Sequence, residues 1–384
     1  MIEREMGYRG SKSVVIDSYS TVKEQRVDGS WLLNKIAVPK KRSLRCTLMG
    51  LERGYQVKIL ANQPLNRTYS TLSNSSLVLN PWFITGFSDA ESSFIISIYK
   101  NSNNKLNWRV SAYFSIHVHV KDLLLLELIQ KTLGVGVVRK NNQNTVLFRV
   151  SDIKELQVII DHFKKYPLIS AKYSDFLLFE QVFNLIKQKE HLTPAGFEKI
   201  LALKSSLNKG LSDELREAFP NIVPVERPEY KFPGIPNPFY ISGFATGDST
   251  FSISIEKSSS KVGKRVRSIF GTCLHIRDKD LLKGMANYFN SLYSQDGFKE
   301  ASVFCNEKNN IALLQIKNNL DIEKKIIPFF NEYPILGVKS LDFSDFKKVA
   351  ELVKSKEHLN IEGLNKIIKI TEGMNLRREW ESSD

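Results

Sequence analysis

Asn80-Pro81-Trp82-Phe83-Ile84-Thr85-Gly86-Phe87-Ser88-Asp89-Ala90-Glu91-Ser92-Ser93-Phe94 returns later in the chain as Asn237-Pro238-Phe239-Tyr240-Ile241-Ser242-Gly243-Phe244-Ala245-Thr246-Gly247-Asp248-Ser249-Thr250-Phe251. Asn is a favoured N-cap and Pro fits the first helical position, so each copy predicts a helix that ends on an acid, Glu91 or Asp248. The helix dipole is negative at that end, and a carboxylate there costs about 0.3–1 kcal/mol unless a cation compensates. An electrostatic cost written twice implies a use. Gly86 and Ala90 are four apart, as are Gly243 and Gly247. A stripe of small residues inside a helix predicts close approach of another backbone. If the two motif helices pack together, their acids meet, and a hard divalent cation such as Mg²⁺ would relieve both the repulsion and the dipole penalty.

The repetition extends beyond the motif. Phe114 and Asp122 return as Phe270 and Asp278, Tyr166-Pro167 and Lys172 as Tyr333-Pro334 and Lys339, and Lys189-Glu190-His191-Leu192 as Lys356-Glu357-His358-Leu359. The offset moves from 157 at the acids to 156 and then 167, which predicts two copies of one domain with one insertion between matched elements. A chain of 384 residues suits two such domains and something extra. Residues 1–75 carry 13 Lys and Arg against six acids, half of the net charge of +14, and lack sustained periodicity. They are expected to form a poorly ordered basic extension. The first repeat is placed at 77–210 and the second at 237–375. Between them, 211–236 holds Pro220, Pro224, Pro228, Pro233 and Pro236 and is expected to be an extended linker.

Three cysteines, Cys46, Cys273 and Cys305, make neither a disulfide framework nor a zinc cluster. No apolar run is long enough to predict a membrane span, and no signal-peptide pattern opens the chain. The basic balance favours a polyanionic partner.

Each repeat reads as helix, two strands, helix, two strands, then further helices. Phe94, Ile96 and Ile98 alternate with Ile95, Ser97 and Tyr99, and Phe251, Ile253 and Ile255 alternate with Ser252, Ser254 and Glu256. Such alternation marks strands with one buried face. On the second strands Arg109, Ser111 and Tyr113 share a parity, matched by Arg265 and Arg267. That outer face is either simply solvated or, given interleaved Arg and Tyr in both copies, a surface that reads nucleic acid. His117 and His119 have ligand-compatible spacing but no third ligand nearby, which favours a structural role. His191 and His358 read as capping or packing residues.

The two motif segments, with the Tyr-Pro…Lys and Lys-Glu-His-Leu elements, resemble the LAGLIDADG homing endonucleases over about residues 80–375. The resemblance implies an α+β fold of two pseudo-two-fold related αββαββα domains, each with a four-stranded antiparallel sheet forming a DNA-binding saddle. It implies a monomeric, organellar group I intron-encoded enzyme that hydrolyses both strands of a long asymmetric site. Glu91 and Asp248 would bind the divalent metal, with the carbonyls of Ala90 and Gly247 as co-ligands, and Lys172 and Lys339 would sit beside the catalytic centres. The DNA contacts would come from Ser97, Tyr99, Arg109, Ser111, Tyr113, Arg139, Lys140, Ser252, Ser254, Glu256, Arg265 and Arg267. A mitochondrial location follows from the resemblance alone.

Two positions depart from the motif. Ser92 and Ser249 stand where the family has Gly, which would strain the backbone by about 1 kcal/mol or more if φ were positive there. Thr246 stands where the first copy has Asp89. A strand of about nine residues spans about 30 Å, near one duplex turn, so two saddles predict a target of roughly 20 base pairs. The segment Glu24-Gln25-Arg26-Val27-Asp28-Gly29-Ser30-Trp31 resembles peptide read from a group I intron core. The competing function is an RNA maturase that assists splicing of the host intron, which needs the basic surface but not both carboxylates.

Overall fold

The computed structural model describes residues 78–292, 299–375 and 378, together with the backbone of a short hairpin in which β1 (Ser20–Gln25) pairs antiparallel with β2 (Trp31–Ile36). The remainder of the 1–75 extension, and the expectations placed on it, lie outside the described residues. The chain divides into two compact units, with the boundaries among the described residues falling after Gly86 and after Gly234.

The first motif helix, α1 (Pro81–Glu91), runs into β3 (Ser92–Lys100) and β4 (Trp108–His119); then come α2 (Leu123–Leu133), β5 (Val137–Asn142), β6 (Thr145–Val150), α3 (Ile153–Lys165), α4 (Lys172–Lys187), α5 (Pro194–Ser205) and α6 (Asp213–Ala218). The sheet is antiparallel with order β3-β4-β6-β5. The second motif helix, α7 (Pro238–Asp248), repeats the plan with β7 (Ser249–Lys257), β8 (Lys264–His275), α8 (Lys279–Ser291), β9 (Val303–Asn306) and β10 (Ile311–Ile316). A π-helical stretch, Ile322–Ile326, leads into α9 (Ile327–Glu332), followed by α10 (Lys339–Lys354) and α11 (Ile361–Glu372). Its sheet order is β7-β8-β10-β9, the same as the first. The expected αββαββα core is therefore present twice.

The duplication reaches into the cores. Phe94 packs on Phe114, Phe163, Phe176 and Phe179 with ring centroids 5.2–5.6 Å apart. In the second unit Phe251 packs on Phe270, Phe330, Phe343 and Phe346 in the same way. Burying each ring contributes about 1.5–3 kcal/mol, so the alternating apolar face of the first strand anchors the helices behind the sheet. The repeated Lys-Glu-His-Leu segments form identical turns, with Lys189 and Lys356 both at φ 62°. Gly196 and Gly363 follow because a Cβ at either would lie 2.1 Å from a glutamate carbonyl oxygen.

The proline-rich segment is held down rather than free. Val225 N–H donates to Ala202, Ser174 donates to Pro228 at 2.8 Å, Tyr230 donates to Ile169, and Arg227 pairs with buried Asp175 at 2.8 Å. Extended backbone with no internal ladder finds its partners on α4, on α5 and on the loop before α4, and the first unit accordingly continues to Gly234.

Candidate active site and nucleic-acid face

Both motif helices begin as their first residues dictate. Asn80 Oδ1 accepts from Trp82 N–H and Asn237 Oδ1 from Phe239 N–H, each at 2.9 Å. Both end on their acids, with no basic residue in the last turn. The compensating cation comes instead from the first residue of a later helix. Lys172 is 3% exposed, and its Nζ donates to the Ser88 carbonyl at 2.8 Å and the Ser92 carbonyl at 2.6 Å. Lys339 does the same for α7, donating to Ala245 at 3.1 Å and also to Gly247. Ammonium groups at the carbonyl end of a helix offset the field that opposes Glu91 and Asp248.

Asp89 has a different task. It is buried, accepting from the Ile169 N–H at 2.8 Å and from the Ser170 hydroxyl at 2.5 Å. The segment it holds leads directly to Lys172, so Asp89 positions the lysine. Thr246 accepts from the matching Leu336 N–H at 3.3 Å, which explains how the second copy works without the acid. Ser92 and Ser249 carry no backbone strain. Neither has positive φ, Ser92 donates to Ser88 at 2.6 Å, and the Ser249 and Thr272 hydroxyls share a 2.6 Å hydrogen bond.

Gly86 shows why one small residue is needed. A Cβ there would meet the Tyr240 carbonyl oxygen at 2.1 Å and the Phe244 nitrogen at 2.8 Å. This contact lies within the second unit, to which Gly86 belongs.

The donor set at each helix end consists of oxygen. Glu91 is 6% exposed and Asp248 is half-buried, and the Ala90 and Gly247 carbonyls precede them. Such hard ligands suit Mg²⁺ or Ca²⁺ rather than a thiophilic metal. The Gly247 carbonyl already accepts from Lys339, but a carbonyl oxygen has two lone pairs. No group of three or more His, Cys, Asp and Glu side chains forms a metal cluster among the described residues. A cation at either acid would therefore complete its shell with water or a phosphate oxygen.

Register sorts the remaining candidates by face. Ser97 pairs with Ser111 and Tyr99 with Arg109, all on the side away from the phenylalanine core, and Tyr113 shares that parity. In the second sheet Ser254 pairs with Arg267 and Glu256 with Arg265, while Ser252 is outward but only 9% exposed. Arg267 and Glu256 approach to 3.7 Å. Arg139 joins the outward rows opposite Leu147, whereas Lys140 pairs with buried Val146 and falls in the opposite row. Missed from sequence was Arg149, whose guanidinium carbon lies 3.6 Å from the Tyr113 ring centroid. Its signal was the alternation of Thr145–Val150, which places Arg149 outward with Ser115. His119 is structural: its Nδ1 accepts from Lys121 N–H at 3.3 Å, as His275 does from Arg277 at 3.2 Å. Burial lowers the His119 pKa to about 4, with Lys121 adding to the shift.

A helix-and-sheet scaffold written twice, with one carboxylate closing each motif helix, defines a duplicated two-motif architecture. The LAGLIDADG endonuclease family model matches residues 84–183 and 241–350. The chain is 38% identical to probable intron-encoded endonuclease 3 of Neurospora crassa over 96% of its own length and 69% of that protein's. It is 41% identical to probable intron-encoded endonuclease 2 of the same fungus, covering 76% of this chain and 64% of the relative. Among solved structures it is similar to the LAGLIDADG meganuclease I-CpaMI bound to uncleaved DNA, with 45% identity, 77% and 99% coverage and a TM-score of 0.73. It is also similar to I-SmaMI bound to cleaved DNA, at 40% identity, 78% and 98% coverage and a TM-score of 0.74. The chain belongs to the LAGLIDADG endonuclease family.

Proposed function

We propose that this protein is a site-specific DNA endonuclease that uses divalent metal, Mg²⁺ by preference, to hydrolyse both strands of a long asymmetric duplex. The observation that carries the proposal is the repeated helix end: one acid, one preceding carbonyl and one lysine cap in each motif. Glu91 with the Ala90 carbonyl, and Asp248 with the Gly247 carbonyl, would hold the cations, one acid serving each strand. When bound, such ions supply Lewis acidity and lower the pKa of attacking water. Lys172 and Lys339 keep the helix ends closed and add positive charge where phosphate charge develops.

Ser97, Tyr99, Arg109, Ser111 and Tyr113 in the first unit, and Ser252, Ser254, Glu256, Arg265 and Arg267 in the second, are assigned to the duplex. Arg139 joins them by its row, and Arg149 is added. Lys140, at the sheet edge, is assigned to phosphate rather than to bases. The DNA-bound relatives support a duplex partner, and the calcium present with I-SmaMI supports a divalent metal. Strands of nine and 12 residues suit roughly 20 base pairs across two sheets. Relatives from ND4 and cox1 introns support a mitochondrial, intron-encoded origin, and the presence of both motif segments in one chain supports a monomer. No observation favours the maturase alternative.

The test is incubation of the full chain with a duplex spanning an intronless exon junction, with Mg²⁺ or with chelator. Two-strand cleavage only with metal is expected. Uncleaved junction DNA alongside tight binding of host intron RNA would favour the maturase.

A further inference from the structure

We propose that the outward face of the second sheet reads thymine methyl groups at positions where the first sheet reads guanine, so the two half-sites differ in base class. This rests on the assignment of the outward sheet faces to the duplex.

Register puts the two faces in correspondence. In the first sheet one outward row runs His117, Leu147, Arg139; in the second it runs Cys273, Leu313, Phe304. The adjacent row holds Ser115 and Arg149 in the first sheet and Gly271 and Gln315 in the second. Beneath Arg149 stands Tyr113; its counterpart is Ile269. Two cations thus occupy positions that carry none in the second copy.

Each set has a chemical complement. Arg149 is stacked on Tyr113, so its planar fork is ordered before binding, and that fork matches guanine O6 and N7. Phe304 is 60% exposed, whereas Leu313 beside it is 7% exposed and Cys273 is partly buried. An exposed aromatic needs no explanation by itself, but Phe304 stands where the first face carries Arg139, in a row that has no cation and is apolar down to its buried Leu313. The apolar feature of base edges in the major groove is the thymine 5-methyl group. Gln315, at the position of Arg149, fits adenine N6 and N7. Both substitutions therefore point to A·T pairs. The cations of the second face, Arg265 and Arg267, lie at the far end of β8, away from this row.

The test selects cleaved duplexes from a library randomised over the target length, using the full chain with Mg²⁺. Guanine-bearing positions in one half and an A·T block in the other are expected. The selected duplex is then remade with deoxyuridine for thymine in that block, which should weaken binding about fourfold per contacted methyl. Phe304→Ala should lose that sensitivity while keeping its melting temperature, and Phe304→Arg should move the selection towards guanine. Halves of equal base class, or binding indifferent to deoxyuridine, would overturn the inference while leaving the endonuclease intact. Failure to enrich any duplex would instead remove the nuclease reading on which it stands.

Discussion

The Lys172 ammonium lies 2.6 Å from the Ser92 carbonyl oxygen, so a buried cation closes the helix that ends on Glu91. The lysine starts α4, and its register is fixed by Ser170, whose hydroxyl accepts the Lys172 N–H at 3.1 Å and donates to Asp89. Charge, cap and acid form one connected unit.

Lys172→Met keeps the volume and removes the charge. Two buried carbonyls lose an ammonium donor, at about 1–3 kcal/mol in total, since the Ser88 carbonyl keeps the Ser92 hydroxyl. We expect a lower urea midpoint with unchanged slope, together with loss of cleavage. Lys339→Met, at a half-buried site, should cost less stability. Equal midpoints for wild type and Lys172→Met would count against the cap.

Asp89→Thr copies the second motif into the first. It should cost less than Asp89→Ala, which loses both acceptors and about 1–3 kcal/mol, and it should leave the cleavage rate per folded molecule near wild type. Thermal melts and single-turnover rates give the comparison. A rate as low as that of a Glu91 variant would make Asp89 part of the chemistry.

Gly86→Ala places a Cβ against the Tyr240 backbone, where no side chain can swing away. A loss of about 1–3 kcal/mol or more is expected, visible as a drop in melting temperature. A neutral effect would contradict the close helix approach.

Acid should destabilise the protein through buried neutral histidines. Burial lowers both His119 and His162 from the ordinary 6.5 to about 4. A lowered folded-state pKa means that the unfolded chain takes up the proton first. Stability is therefore full above about pH 6.5 and declines as pH falls towards 4, by up to about 1.4 kcal/mol per pH unit for His162 and by less for the more exposed His119, whose charge water screens. His162→Gln should flatten that slope in urea titrations at stepped pH. An unchanged slope would show that His162 is not responsible.

Much of this was legible in the sequence because it was written twice. The Asn-Pro starts, the terminal acids and the alternation of β3 and β7 each obey a local rule, and repetition removed the ambiguity. What stayed hidden were contacts made far along the chain. That Lys172 caps α1, that Asp89 holds residues 169–170, and that Arg149 stacks on Tyr113 depend on register and packing that no local period reveals. The Ser92 and Ser249 departures looked costly only while φ was unknown. The proline-rich segment read as a tether because its partners, among them Asp175 and Ala202, lie outside it.

The central claim is that one carboxylate per motif helix cuts DNA, and a supercoiled plasmid carrying the selected site tests it most directly. With Mg²⁺ the wild type should yield linear product, whereas Glu91→Gln and Asp248→Asn, folded by melting and binding DNA normally in Ca²⁺, should yield at most nicked circles. Linear product from either variant at the wild-type rate would contradict the account.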